Sequence, residues 1–173
     1  MVRFRTAATL ALAFTLGTAA SAAAQDTAPA DAAPKVAQNT FFVELLGNAA
    51  LYSLNYERFF TPQLGVRIGG MYIQADDDEG DQVSVGLFPV MATYLLGQGN
   101  SHFEVGAGLG FGVGAIETTD IGDDWDSTVY GTATFGYRYQ KPTGGVIFRA
   151  GFTPVIASGT IVPWVGASVG YAF

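Results

Sequence analysis

The last nine residues, Val165-Gly-Ala-Ser-Val-Gly-Tyr-Ala-Phe173, alternate without a break. Val165, Ala167, Val169, Tyr171 and Phe173 share one parity, while Gly166, Ser168, Gly170 and Ala172 share the other. Side chains of a strand alternate between faces, so one face of this segment is apolar and the other small. Chain ends ordinarily fray into water, yet here an aromatic stands at the last position with no polar tail behind it. The pattern predicts a stave with lipid outside and a narrow lumen inside. A sandwich strand has the same alternation, and the rest of the chain must separate the two.

Residues 1–24 predict a secretory signal peptide, with Arg3 and Arg5 ahead of an apolar run from Ala7 to Leu16 and then Ala22-Ala23-Ala24. That run is too short to span a bilayer, and no later stretch reaches the ~18 uninterrupted apolar residues of a transmembrane helix. Residues 25–39 are Ala, Pro and polar residues with little to bury, which predicts a flexible linker. Residues 40–173 are then the single folded domain. With no cysteine, disulfides and a lipid-anchored cysteine are excluded, and stability must come from hydrogen bonding and burial. Twenty-three glycines, 13% aromatic residues and no amphipathic helical period point to an all-β fold.

Turn signals divide that domain into eight alternating runs, near 40–47, 50–60, 64–74, 83–96, 101–116, 128–140, 145–155 and 160–173. An even count returns both ends of a barrel domain to the same side of a membrane. The second, fourth and sixth connections are short and turn-like, whereas the acidic stretches 75–82 and 117–127 are the longest connections, as outer loops are. The reading is an eight-stranded antiparallel up-and-down transmembrane β-barrel with short periplasmic turns. Pro89, Pro154 and Pro163 fall within runs and each removes a ladder donor. Pro154 and Pro163 flank the last outer loop. Pro89 lies nearer mid-strand, so a bulge or an outer half standing above the bilayer is expected there, and the inward face of that strand stays open.

Parity places Phe41, Val43, Leu45, Leu54, Ile68, Phe103, Leu109, Phe111, Phe135, Phe148 and Phe152 on one nearly uncharged surface. Its aromatics gather at two heights, as interfacial anchoring requires. The opposite surface carries Glu44, Glu57, Arg67, Glu104, Arg138 and Arg149 among Ser and Thr residues. The interior of a barrel this small is filled by side chains, so three glutamates and three arginines there must pair. They are the expected polar plug. Gly106, Gly108, Gly110, Gly112 and Gly114 all face inward on the fifth run and make room for bulk such as Tyr130; their strict period of two excludes a phosphate cradle.

Removal of Arg3 and Arg5 leaves six basic against fifteen acidic residues, a net charge of −9, which opposes nucleic-acid binding. Asp76, Asp77, Asp78, Glu79, Asp81, Glu117, Asp120, Asp123, Asp124 and Asp126 account for ten of the acids. The aspartates among them are weak candidates for divalent cations. Neither stretch has the full spacing of a calcium loop, and solvated caps are the preferred reading. Ser101 and His102 are neighbours in a strand and point to opposite faces, so they cannot form a nucleophile and base pair. No enzymatic activity and no cofactor are expected.

The segments Glu44-Leu-Leu-Gly-Asn48, Leu51-Tyr-Ser-Leu-Asn-Tyr-Glu-Arg58, Tyr94-Leu-Leu-Gly97, Phe103-Glu-Val-Gly-Ala-Gly108, Phe135-Gly-Tyr-Arg138 and Gly170-Tyr-Ala-Phe173 resemble the small bacterial outer-membrane β-barrels of the OmpA/OmpX-like superfamily. The resemblance spans about residues 40–173. It implies location in the outer membrane, contact with membrane lipid and lipopolysaccharide, and reading of Tyr171 and Phe173 by the barrel-assembly machinery. The expected function is a structural, monomeric barrel with a plugged polar lumen and acidic outward loops. A narrow conduit for small or apolar solutes and a soluble periplasmic barrel are the alternatives.

Overall fold

A computed structural model of the protein describes residues 36–76, 82–118 and 122–173. Residues 1–35, which hold the expected signal peptide and most of the expected linker, and residues 77–81 and 119–121 lie outside them. The strands are β1 (Asn39–Leu46), β2 (Tyr52–Phe59), β3 (Leu64–Asp76), β4 (Gln82–Leu96), β5 (Ser101–Thr118), β6 (Gly122–Tyr139), β7 (Gly145–Phe152), β8 (Val155–Ala157), β9 (Thr160–Val162) and β10 (Val165–Ala172). Consecutive strands from β1 to β7 pair antiparallel, and β10 pairs with both β7 and β1, closing the ring between Thr40↔Ala172 and Leu46↔Gly166.

The ten segments make eight staves. β8 pairs with β6 in the register that β7 already holds, since Phe135↔Phe152 and Thr132↔Val155 lie on one diagonal. β9 extends β10 in the same way, with Val155↔Val162 continuing Val165↔Phe152. Pro154 therefore stands opposite Pro163, so two missing donors coincide at one rung instead of breaking two. The Pro154 carbonyl is still used, accepting from Ala133 N at 3.2 Å.

Pro89 departs from the sequence expectation. β4 and β5 keep one register from Gln82↔Glu117 to Leu96↔Phe103, so no extra residue is inserted. On the other side the β3–β4 ladder lapses between Ile68↔Val90 and Met71↔Leu87 and resumes unshifted. The ring points inward and lies opposite Gly110 on β5, with Gly69 facing it on β3. Two small neighbours give the pyrrolidine its space, and a local lapse replaces the bulge. The inward set on β4 is then Pro89, Met91, Thr93 and Leu95, all buried.

Two boundaries also shift. β5 and β6 run through most of the stretch read as an outer loop, pairing as far as Thr118↔Gly122. A strand standing clear of lipid tolerates polar residues on both faces, so the acids there do not end it. At the opposite end, residues 36–38 are held to the barrel despite their linker-like composition. Ala37 N donates to Pro142 O at 2.8 Å, Phe59 N to Gln38 O at 2.7 Å, and Asn39 N to Phe173 O at 3.0 Å. Ala37 joins Phe42, Ile147 and Ala172 in a small buried apolar cluster.

The outer surface follows the predicted parity. Phe41, Leu54, Ile68, Phe103, Leu109, Phe111, Val129, Phe148 and Tyr171 are all exposed on it. Near the inner rim the Phe41 ring lies 4.9 Å from that of Tyr56 and stacks on Phe173 at 5.9 Å. Gly170 is the tightest point of closure, because a Cβ there would collide with Phe41 O and the Phe42 side chain. Gly170→Ala is expected to lower stability by about 1–3 kcal/mol. Urea titration of protein refolded into lipid vesicles measures this; an unchanged midpoint would show that closure has slack.

Candidate functional site: the buried charge network

Glu44 comes from β1, Glu57 from β2, Arg67 from β3, Glu104 from β5, Arg138 from β6 and Arg149 from β7, and all six are buried in the lumen. Each occupies an inward rung, so the same alternation that exposes Phe41 or Leu54 turns these charges inside. Arg138 Nη1 reaches Glu57 Oε2 at 2.5 Å and Glu104 Oε2 at 3.1 Å. Arg149 grips Glu104 with two nitrogens, Nε at 2.9 Å from Oε2 and Nη2 on Oε1. Thr93 Oγ1 donates to Glu57 Oε1 at 2.5 Å, and Arg138 Nε donates to Gln140 Oε1 at 2.7 Å. Glu57, Arg138, Glu104 and Arg149 thus form one continuous chain. Arg67 and Glu44 pair separately at 3.5 Å.

Several guanidinium nitrogens, Arg67 Nε and Nη1, Arg138 Nη2 and Arg149 Nη1, make no hydrogen bond among the described residues, Arg67 Nη1 reaching Glu44 only as the 3.5 Å ion pair. Aromatic faces take their place. The Phe42 ring lies between Arg149, 4.4 Å from its centre, and Arg67 at 5.8 Å, while Arg138 stands 5.0 Å from the Phe59 ring centre. Desolvated cation–π contacts of this kind contribute about 2 kcal/mol. The alternation rule places Phe42 and Phe59 inward, and the doublets Phe41-Phe42 and Phe59-Phe60 are the signal for them.

Asn48 is the member that sequence reasoning missed. The first outer connection does not project outward; it forms a 3-10 turn, Gly47–Ala49, whose residues are all buried. Asn48 Nδ2 donates to Thr132 Oγ1 at 2.6 Å and to Ala133 O at 3.0 Å. Its Oδ1 accepts from Arg67 Nη2 and from Thr134 Oγ1, the latter at 3.2 Å, and its carbonyl accepts from Tyr130 OH at 3.0 Å. Leu46 and Ala50 flank the turn at φ 59° and 65°, a region that strains non-glycine residues. The fold makes room for it: a Cβ on Gly166 would stand 2.7 Å from Gly47 Cα, and one on Gly110 would strike the Tyr130 ring. Tyr130 and the turn together roof the charge network.

The recess bounded by Glu44, Glu104, Thr134, Arg149, Thr153 and Ser168 holds about 10 Å³. One water needs roughly 10–15 Å³.

The other candidate residues lie apart. Tyr171 and Phe173 are exposed on the outer surface at the inner rim. His102 lines a recess of about 420 Å³ at the inner mouth with Phe59, Gln63, Leu95 and Gln140, whereas Ser101 Oγ lies 2.9 Å from Tyr137 OH on the outer surface. Asp76 ends β3, and Asp123, Asp124 and Asp126 lie on β6; Asp77, Asp78, Asp81 and Asp120 fall outside the described residues. Among the described residues no group of three His, Asp or Glu side chains is placed to hold a metal ion.

Comparison with solved structures follows this geometry. The N-terminal β-barrel domain of OprF from Pseudomonas aeruginosa matches with a TM-score of 0.58 and 18% identity, over 80% of this chain and 98% of that one. The attachment invasion locus protein Ail of Yersinia pestis, solved with the heparin analogue sucrose octasulfate, matches with a TM-score of 0.54 and 12% identity, over 79% and 94% of the two chains. The fold is that of the small outer-membrane β-barrels. No family model and no curated protein matches the sequence.

Removing one partner of a buried ion pair costs about 3–5 kcal/mol, since the other charge is stranded. Glu104→Ala strands Arg149 and leaves Arg138 with Glu57 alone, and is expected to lose at least that much. Thr93→Val removes a single bond to Glu57 and is expected to cost about 1 kcal/mol. Urea unfolding in lipid vesicles ranks them; comparable losses would mean that Glu104 is not the hub of the pairing.

Proposed function

We propose that the protein is a structural, non-enzymatic outer-membrane β-barrel whose lumen is closed by its own neutral charge network. The observation that carries this reading is the balance of three glutamates and three arginines, each buried and paired within the ring. An ion crossing the lumen would have to part these pairs. Each charge taken from water without a partner costs several kcal/mol, so the closed arrangement opposes passage. The band of exposed Phe, Leu, Val and Ile around the barrel matches a hydrocarbon environment, and the same band on a soluble barrel would be a site of aggregation.

Membrane lipid and lipopolysaccharide are the natural partners of that surface, and a monomer satisfies it. Tyr171 and Phe173 are the residues proposed for recognition by the barrel-assembly machinery. The ligand of Ail is a polyanion, whereas ten acids lie in 76–81 and 117–126 of this chain with no base among them. A ligand of that charge is not carried over. The two acidic stretches serve as outward, hydrated caps.

In planar lipid bilayers the purified protein is expected to give no stable conductance step. A reproducible single-channel step would remove the plug and leave the narrow conduit. In cells the protein is expected in the outer-membrane fraction, migrating on gels according to whether it was heated. Recovery in the soluble periplasmic fraction would overturn the location.

A further inference from the structure

Above the closed ring, β3 to β6 rise well beyond β1, β2, β7 and β10, which have eight residues each. On this wall the inward face turns aliphatic along β3 and β4. Directly paired residues of an antiparallel sheet share a face, so Met71, Leu87, Gly112 and Thr128 form one inward row, and Ile73, Val85, Gly114 and Asp126 form the next. Lower rows of the same face carry Arg67, Thr93, Glu104 and Thr132. Outward, the rung of Phe88, Phe111 and Val129 is followed by Tyr72, Gly86, Val113 and Ser127, and then by Gln74, Ser84 and Ala115. The wall is therefore mixed outside, and inside it is aliphatic along β3 and β4, as in a sheet that packs against an apolar partner.

That partner is missing from the chain's described part. Val83 is 42% and Val85 37% exposed although both point inward. Beside them lies a recess of about 240 Å³ whose walls include Val85, Leu87, Gly112, Gly114, Asp126 and Thr128. Its β4 side is aliphatic, its β5 side is opened by glycines, and its β6 side carries a carboxylate and a hydroxyl. The Tyr130 ring and the Asn48 turn lie below, so the recess is a cup and not a passage.

We propose that this cup binds a small cationic amphiphile, with one alkyl chain against Val85 and Leu87 and an ammonium head at Asp126. Asp126 is exposed, and the described lining of the cup holds that carboxylate and no base, so the local field selects cations and repels anionic lipid. The volume falls below the roughly 300–1,000 Å³ of pockets for drug-sized ligands, which suits a single short chain. The proposal rests on the barrel reading for which mouth faces outward and is independent of whether the lumen conducts.

The test is calorimetric titration of n-octylammonium chloride into the full-length mature protein in phosphatidylcholine nanodiscs, with empty nanodiscs as the blank. Saturable binding of one molecule per barrel is expected, with octanoate and octanol weaker by about tenfold or more. Gly114→Leu fills the cup, since a Cβ at that position meets nothing nearer than 3.8 Å, and is expected to abolish binding. Asp126→Asn is expected to bring octylammonium down to the level of octanol while leaving octanol unchanged. Heat-dependent gel migration reports that each variant is folded, so loss of the barrel is told apart from loss of the site. Heat indistinguishable from empty nanodiscs, equal binding of octanoate, or full binding by folded Gly114→Leu would overturn the proposal.

Discussion

Arg138 and Arg149 both close on Glu104, and the rest of the interior is arranged around that shared carboxylate. Two cations in so narrow a space would repel each other and lose their hydration. One bidentate grip and one further carboxylate, Glu57, offset both costs. The phenylalanines Phe42 and Phe59 then cover guanidinium faces that find no oxygen. Eight strands make a cylinder that side chains just fill, so the choice of inward residues is also the choice of whether the ring closes. Glycine at 110, 166 and 170 leaves the room taken by the Tyr130 ring, the Gly47 backbone and Phe42.

The first outer turn completes that interior from above. Asn48 supplies donors and acceptors in one small side chain, and so it joins β3 and β6 across the lumen through Arg67, Thr132 and Thr134. Its neighbours Leu46 and Ala50 accept a strained backbone for this placement, with non-glycine residues in such regions costing of order 1–3 kcal/mol each. Above the roof, β3 to β6 continue alone, with an inward face that is aliphatic along β3 and β4. The charge network and the recess above it are thus stacked along one set of strands, separated by the Tyr130 ring.

Much of this was legible in the sequence because a strand writes its environment with a period of two. The six charges, the apolar exterior and the inward glycines all follow from parity. What escaped was fixed by residues distant in the chain. Pro89 is accommodated by Gly110 opposite it and Gly69 across the lapsed ladder, and neither neighbour can be known before the register is. Asn48 lies in a turn too short to show any period, and its inward course depends on Gly166 near the other end of the domain. The lengths of β5 and β6 were underread because Asp123, Asp124 and Asp126 look like loop residues, whereas the two strands pair backbone to backbone as far as Thr118↔Gly122. The inward aliphatic run Ile73, Val83, Val85 went unremarked because it inverts the parity rule that served elsewhere.

The central claim is that the barrel interior excludes water while the mouth above it does not. The chain has no cysteine, so single thiols can be introduced as reporters. Thr134 is buried beside Asn48, and Thr128 is exposed on the same face of β6, above Tyr130. The most direct measurement is the rate at which a water-soluble maleimide labels Thr134→Cys and Thr128→Cys in folded protein in lipid vesicles. The account predicts ready labelling at 128 and labelling at 134 only after unfolding in urea. Comparable rates at the two positions in the folded barrel would contradict it.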